Sequence, residues 1–495
     1  MDLNQYVDCI PLEYFIIRKY VVSSLGLNNL SIHDKNFLYP LENVNRETLS
    51  LTDRIDADNQ IRYFLSDRTL RKVSELAKKI AESEPEKITI SPGHTHSVLM
   101  RHFIRSLERM QVSVQFDSNP DFSKDALLTA NETELIQQLI MAARGDYDLV
   151  VRCIKQIINC GDVFSAETLL EHGLRYFPDF ESKQANLIGT IKNCVGKPVE
   201  AEHYYQIFKK SESPLAPVRA NYPLSMLYLR HHKLEKRNFE TGKQYLTEAY
   251  DYIMNGGLDS LDVQERNFYT VFNRNGYGLV LFREGKVNEA IDLLRWGIET
   301  LSSESPKHYM HRSVILYNIC QCYKKIGDYD SAIQCYKELL GIDYVFPEYH
   351  LEMGLCYEQQ GNFKDYRACV EEAIRINPYN SDGHYYLSLI MASLEDYNEA
   401  EKHAKVAWEL AGDDMTAYNY AYLQSINGSY QDLDKLQPVN SPDYIPEWIV
   451  LKAEKISQTS VDDAVNILKE GIKLFPLHPE LNENLNNIQG IQANA

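Results

Sequence analysis

No stretch of this chain approaches 18 uninterrupted apolar residues, so nothing in it reads as a membrane-spanning helix. The opening MDLNQYVDCIPLEYFIIRKY lacks the basic start and long apolar run of a secretory signal, because Asp8, Pro11 and Glu13 interrupt it. Cysteines number nine and lie scattered without CxxC spacing, which argues against a disulfide framework or a zinc ribbon. Neither GxxxxGK[ST], HExxH, GxSxG nor a protein-kinase motif occurs. Basic residues are also short: 51 Lys and Arg stand against 70 Asp and Glu, a net charge of −19. That disfavours nucleic acid and anionic membrane surfaces, both of which demand a basic face, and leaves a basic protein partner open. These absences together lead us to expect a cytoplasmic protein with no metal and no cofactor.

What the chain does have is a 34-residue rhythm in its second half. Tyr323, Tyr357 and Met391 fall one period apart, as do Gly327, Gly361 and Glu395. Ala332, Tyr366 and Ala400 form a third column, and Tyr329, Phe363 and Tyr397 a fourth. A fixed period of this length marks stacked helical repeats. Within one unit, Leu316, Ile319 and Tyr323 make the apolar face of a first helix. Gly327 and Asp328 break it, and a second helix carries Ala332, Tyr336 and Leu339 inward. Ala332 is small where two helices cross closely. Such a pair cannot bury its own face, so it must stack on neighbours.

These residues resemble the tetratricopeptide repeat (TPR) family, a helix pair with large and small residues at set places. Leu316, Ile319, Cys320, Tyr323, Ala332, Tyr336 and Leu339 match one unit. His350, Met353, Gly354, Tyr357, Ala373 and Pro378 match the next, and Leu387, Ala400 and Ala407 a third. Trp448, Leu451, Ala464, Leu468, Gly471 and Pro476 fit a later one, and Gly285 with Ala290 an earlier one. Gly161, Ala166, Gly196 and Ala201 extend the likeness upstream, so that it covers roughly residues 147–478. The resemblance implies a mainly α protein, a TPR-type α-solenoid of about seven or eight helix pairs.

Ahead of the repeats the pattern changes. Residues 61–66, 88–91 and 112–117 read as short strands, with helices at 68–83 and 96–110 between them. Phe37–Tyr39 and Ala126–Thr129 are candidate further strands. The alternation predicts a small α/β domain with a parallel sheet. The expected division is a helical segment at 1–30, the α/β domain at 31–130 and first TPR-like helices at 131–214. An irregular long pair at 215–270, a TPR array at 271–440 and a last unit with its capping helix at 441–495 complete it.

Chemistry in such a domain belongs at the carboxyl ends of the strands. There lies the turn Ser91-Pro92-Gly93-His94-Thr95-His96-Ser97, just before a helix start. Free backbone N–H groups at a helix N-terminus attract anions, and Gly93 permits close approach. Ser91, Gly93, Thr95 and Ser97 are therefore candidate anion-binding residues, with His94 or His96 as donor or general base. A metal would need His94 and His96 to converge with His102 or Asp117. The plain alternative is an exposed turn with Thr95 as N-cap. The stretch ITISPGHTHSVLMRHFIRSLERMQVSVQF is faintly similar to the first βαβ unit of GT-B glycosyltransferases, which would imply a sugar-nucleotide site. No second nucleotide-binding domain follows in the sequence.

In the TPR family the first helices line a concave groove. By that offset Asn275, Leu279 and Phe282, then Tyr317, Asn318, Gln321 and Lys324, then Glu352, Leu355 and Glu358, then Tyr385, Tyr386 and Leu389 would form the wall. Tyrosine and leucine supply contact area, and Asn318 can bond a peptide backbone. The cluster of Lys, Arg and Asn with which the family clamps a terminal carboxylate is missing. Three functions remain open: a scaffold binding a protein or peptide, with homodimerisation through the N-terminal domain; an enzyme or enzyme subunit whose N-terminal α/β domain binds a nucleotide or sugar nucleotide while the repeats recruit a protein substrate; and a peptide-responsive sensor. His231 and His232, on a repeat helix, are expected at the surface.

Overall fold

A computed structural model describes residues 12–42, 50–51, 65–118, 120–142, 145–159, 161–302, 304–436 and 444–494. Its architecture is mainly helical, and the helices gather into two compact units, Met1–Tyr366 and Arg367–Ala495.

The first unit opens with α1 (Glu13–Leu25), α2 (Ile32–Leu38), α3 (Leu65–Glu82), β1 (Ile88–Ile90), α4 (Val98–Arg109) and β2 (Val114–Phe116). The two strands pair in parallel, Ile88 opposite Val114 and Ile90 opposite Phe116, with α4 as the crossover. The apolar stripe of α4 is buried as its spacing requires, with Leu99, Phe103 and Leu107 fully enclosed. They pack with Val73, Leu76 and Ile80 of α3 and with Ile17, Tyr20 and Val21 of α1. The initial helix therefore contributes directly to this α/β core.

Two strand expectations fail here. Phe37 and Leu38 are helical, because Ser31 accepts from the Asp34 N–H and the Asp34 carboxylate accepts from the Ser31 N–H, a capping box that starts α2. Ala126 closes a short 3-10 turn, Lys124–Ala126, and no strand follows it. Of the strand expected at 61–66, residues 61–64 lie outside the described residues, and Leu65 and Ser66 already belong to α3.

The helix pairs then begin: α5 (Ala130–Ala142), α6 (Tyr147–Asn159), α7 (Val163–Tyr176), α8 (Phe180–Lys183), α9 (Ala185–Cys194), α10 (Pro198–Lys209), α11 (Ala216–Met226) and α12 (Phe239–Tyr252). They continue as α13 (Val263–Arg283), α14 (Val287–Thr300), α15 (Pro306–Lys325), α16 (Tyr329–Ile342) and α17 (Pro347–Gln359). From α9 to α17 each helix packs on the next. The irregular pair expected at 215–270 corresponds to α11, which runs into a π-turn at Leu227–His231, and α12. His232, at the end of that turn, is buried, contrary to the surface position expected of it.

After α18 (Phe363–Ile376), the second unit contains α19 (Ser381–Ser393), α20 (Tyr397–Ala411), α21 (Asp414–Ile426), α22 (Ile445–Ser457), α23 (Val461–Leu474) and α24 (Pro479–Asn494). The final helix packs on both α22 and α23 and covers their apolar faces. Residues 427–436 form turns, not a second helix, so α21 has no full partner of its own among the described residues.

The repeat columns have physical meaning. Ala290, Ala332, Ala400 and Ala464 are fully buried, as helix crossings demand. Gly327 and Gly361 take φ of 75° and 73° at the bend between paired helices, and Glu395 takes the same left-handed conformation at 61°. After the bend, Asp328 accepts from the Ser331 N–H at 3.1 Å, and Asp396 accepts from the Glu399 N–H at 3.3 Å. Each thereby caps the second helix of its pair.

Candidate functional site

The turn 91–97 is a short 3-10 helix, Pro92–His96, leading straight into α4. The N–H groups at the start of α4 are already engaged. The carboxylate of Glu13, at the start of α1, accepts from the Leu99 N–H at 2.9 Å, from the Val98 N–H at 3.3 Å and from the Ser97 hydroxyl. Glu13 is 5% exposed, so the helix N-terminus is closed from inside by a tethered anion. Ser97, not Thr95, is the N-cap: its Oγ accepts from the Met100 N–H at 3.0 Å, whereas the Thr95 hydroxyl donates to the Pro92 carbonyl.

His94 points inward. Its Nδ1 lies 2.7 Å from the Tyr20 hydroxyl, which also accepts from the Ser91 N–H at 3.0 Å. His96 and Gly93 are exposed. His102 bonds Ser74 on α3 at 2.9 Å, and burial, then the Arg109 charge, push its pKa down to about 4. Among the described residues no group of three or more His, Cys, Asp or Glu side chains is placed to hold a metal ion.

The seam behind Glu13 joins the α/β core to the helix pairs. The Glu13 N–H donates to Ser165 Oγ at 2.9 Å, and that hydroxyl donates to Asp162 at 2.6 Å. Asp162 also caps α7 by accepting from the Ser165 N–H at 3.0 Å. Burial, reinforced by the neighbouring Glu13 carboxylate, pushes the Asp162 pKa up to about 7. Asp162 follows Gly161 as Asp328 follows Gly327, so the repeat pattern marks it as a cap, whereas the one signal for Glu13 is an acidic residue at the head of the apolar run EYFIIRKYVV.

The candidate groove residues divide by unit. In the first, Asn275 is buried and accepts from Asn318 Nδ2 at 2.8 Å. Gln321 donates to the Tyr336 hydroxyl at 2.7 Å and to Glu352 at 3.3 Å, and Lys324 pairs with Glu352. Tyr317 packs against the rings of Tyr336 and Tyr349. These side chains hold α13, α15, α16 and α17 in register, and most of their polar capacity is spent on one another. Leu279, Phe282, Leu355 and Glu358 are half-buried beside them. In the second unit, Tyr385 and Tyr386 are half-buried with rings 5.6 Å apart, and Leu389 is 40% exposed.

Two consecutive segments, residues 314–345 and 347–380, match the family model described as tetratricopeptide repeat. Residues 314–380 are tetratricopeptide repeats. The α15–α16 and α17–α18 pairs are thus TPR units, as their columns imply. Solved structures similar to this chain include a TPR protein from Parabacteroides merdae at 17% identity, over 54% of this chain and 99% of that one, with a TM-score of 0.32. Human IFIT1, solved as a dimer with PPP-AAAA, is 13% identical over 74% of this chain and 96% of its own, at 0.35. Yeast Tom70 is 14% identical over 72% and 91%, at 0.30. Likenesses of this degree carry no information about what this chain binds. No described helix is long and apolar enough to cross a membrane.

Proposed function

We propose that this protein is a TPR scaffold whose repeat helices recognise a protein or peptide partner. The observation that carries this reading is the closure of the SPGHTHS turn by Glu13. An internal carboxylate holds the N–H groups that a nucleotide phosphate would need, which removes the strongest sequence argument for an enzyme. Exposed aromatic and aliphatic side chains of the second unit, Leu389 and Tyr422, supply the contact area that protein recognition uses. The α/β core then serves as a rigid base, tied to the first helix pairs by Glu13, Ser165 and Asp162.

Site-specific photo-crosslinking in the source cell tests the proposal. A photoreactive phenylalanine analogue placed at Leu389 or Tyr422 should capture a discrete partner that the same group at Glu470, an exposed position on α23, does not. Identical products from all three positions, or none from any, would refute a partner-binding face there.

A further inference from the structure

Negative charge is concentrated in the second unit. Residues 367–495 hold 20 Asp and Glu against 9 Lys and Arg, so about a quarter of the chain carries −11 of the net −19. One face of this unit is also rich in tyrosine. Tyr385 and Leu389 on α19, and Tyr418, Tyr422 and Ile426 on α21, recur every four residues and so form two stripes. Asn419 donates to Ser388 Oγ at 2.8 Å, which sets those helices side by side. The Tyr418 ring stacks on Tyr422 at 6.0 Å and lies 5.7 Å from Tyr444. Leu389, Tyr422 and Ile426 are each at least 40% exposed.

Three carboxylates, Glu447, Glu454 and Glu480, lie near enough to Tyr418 to act on it. Burial, then Glu480 and Glu447, raise the Tyr418 phenol well above its usual range, and burial with Glu480 raises Glu454. Glu447 bonds His478 at 3.2 Å, and Glu454 accepts from the Tyr430 hydroxyl at 3.5 Å. No described Lys or Arg pairs with any of the three. Glu352, on α17, is by contrast answered internally by Lys324.

We infer that this tyrosine–glutamate face receives an arginine-bearing, extended peptide segment of a protein partner. The inference rests on the scaffold reading above and names the chemistry of its partner. Aliphatic parts of the peptide would cover Leu389 and Ile426. Its guanidinium groups would lie on the exposed tyrosine rings and take the uncompensated carboxylates. The protein already uses this chemistry internally: the Arg274 guanidinium lies 3.9 Å from the Tyr250 ring centre and 4.2 Å from that of Tyr277.

The test uses the full chain and a fluorescein-labelled peptide of six Arg-Ala repeats, read by anisotropy, beside its Gln-Ala counterpart. Binding of the arginine peptide alone, weakened about tenfold by Glu447→Gln/Glu454→Gln/Glu480→Gln, is the expected result. A control triple, Glu395→Gln/Glu470→Gln/Glu483→Gln, removes the same charge from exposed positions and should cost about twofold or less. Equal losses in the two triples would mean diffuse attraction to an acidic surface and overturn the inference. Equal binding of the glutamine peptide would do the same. Tyr422→Ala, at an exposed ring, should weaken the arginine peptide with an unchanged melting temperature, and no effect there would also count against it. If the arginine peptide does not bind while crosslinking at Tyr422 still captures a partner, this inference fails and the scaffold reading stands.

Discussion

The Glu13 carboxylate accepts a hydrogen bond from the Leu99 N–H at 2.9 Å, across 86 residues of chain. One contact thereby fixes α1 on the crossover helix and fills the position where an exogenous anion would dock. Glu13→Ala should leave the first N–H groups of α4 without their acceptor and cost about 1–3 kcal/mol. The emptied site should then take an anion. Inorganic phosphate is expected to raise the melting temperature of Glu13→Ala, with little effect on the wild type. Equal phosphate responses would show that Glu13 does not occlude an anion site.

A second prediction concerns Asp162, whose pKa is pushed up to about 7 by burial and by Glu13. Its ordinary value is 3.8, so between about pH 4 and 7 the folded protein holds a proton that the unfolded chain has released. Stability is therefore fully present below pH 4 and is lost as pH rises through 7. Asp162→Asn keeps a side-chain oxygen to accept from the Ser165 N–H but cannot ionise. Urea denaturation at pH 5 and pH 8 should find the wild type losing more stability than the variant over that interval, on the order of 1 kcal/mol or more. Parallel losses would place the titration elsewhere.

Arg18 and Glu132 make a further long-range polar tie of α1. The guanidinium is fully buried, meets both carboxylate oxygens at 2.5 and 2.6 Å, and donates to the Leu38 and Leu127 carbonyls. Glu132→Ala would strand a buried cation, a loss of about 3–5 kcal/mol. The double change Arg18→Met/Glu132→Leu removes both charges and should recover much of that loss. Chemical denaturation of the three proteins checks the order; a double variant no better than Glu132→Ala would mean the pair acts through packing alone.

The repeat units were legible in the sequence because their constraint is local and recurs: one bend and one close crossing per unit, written as Gly327 and Gly361, and as Ala332 and Ala400. The N-terminal core was legible where it obeys period, as in the stripe Leu99, Phe103 and Leu107, and in the parallel pairing of two short strands. Its key contacts were not. Glu13 with Leu99, Tyr20 with His94 and Arg18 with Glu132 join positions 74 to 114 residues apart, and no spacing rule encodes such partners. The turn at 91–97 looked open because a helix start advertises its N–H groups, while the group that fills them lies in another helix. Phe37 and Leu38 misled through apolar content alone, although SIHD upstream carries the capping residues that set α2.

Glu395 gives the sharpest test of the repeat logic. It stands where Gly327 and Gly361 stand in the preceding units, and its φ of 61° lies in the same left-handed region. A side chain with a Cβ is strained there by about 1–2 kcal/mol relative to glycine. Glycine gains freedom in the unfolded chain, which offsets part of the relief. Glu395 is exposed, so its replacement disturbs no packing. Glu395→Gly should therefore stabilise the protein by about 0.5–1 kcal/mol, whereas Gly327→Ala, with nothing within 4 Å of the added Cβ, should destabilise it by about 1 kcal/mol through the backbone alone. Thermal or urea melts of the two variants decide the matter: a Glu395→Gly protein no more stable than wild type would mean that this bend relaxes out of the left-handed region when the repeat demands it.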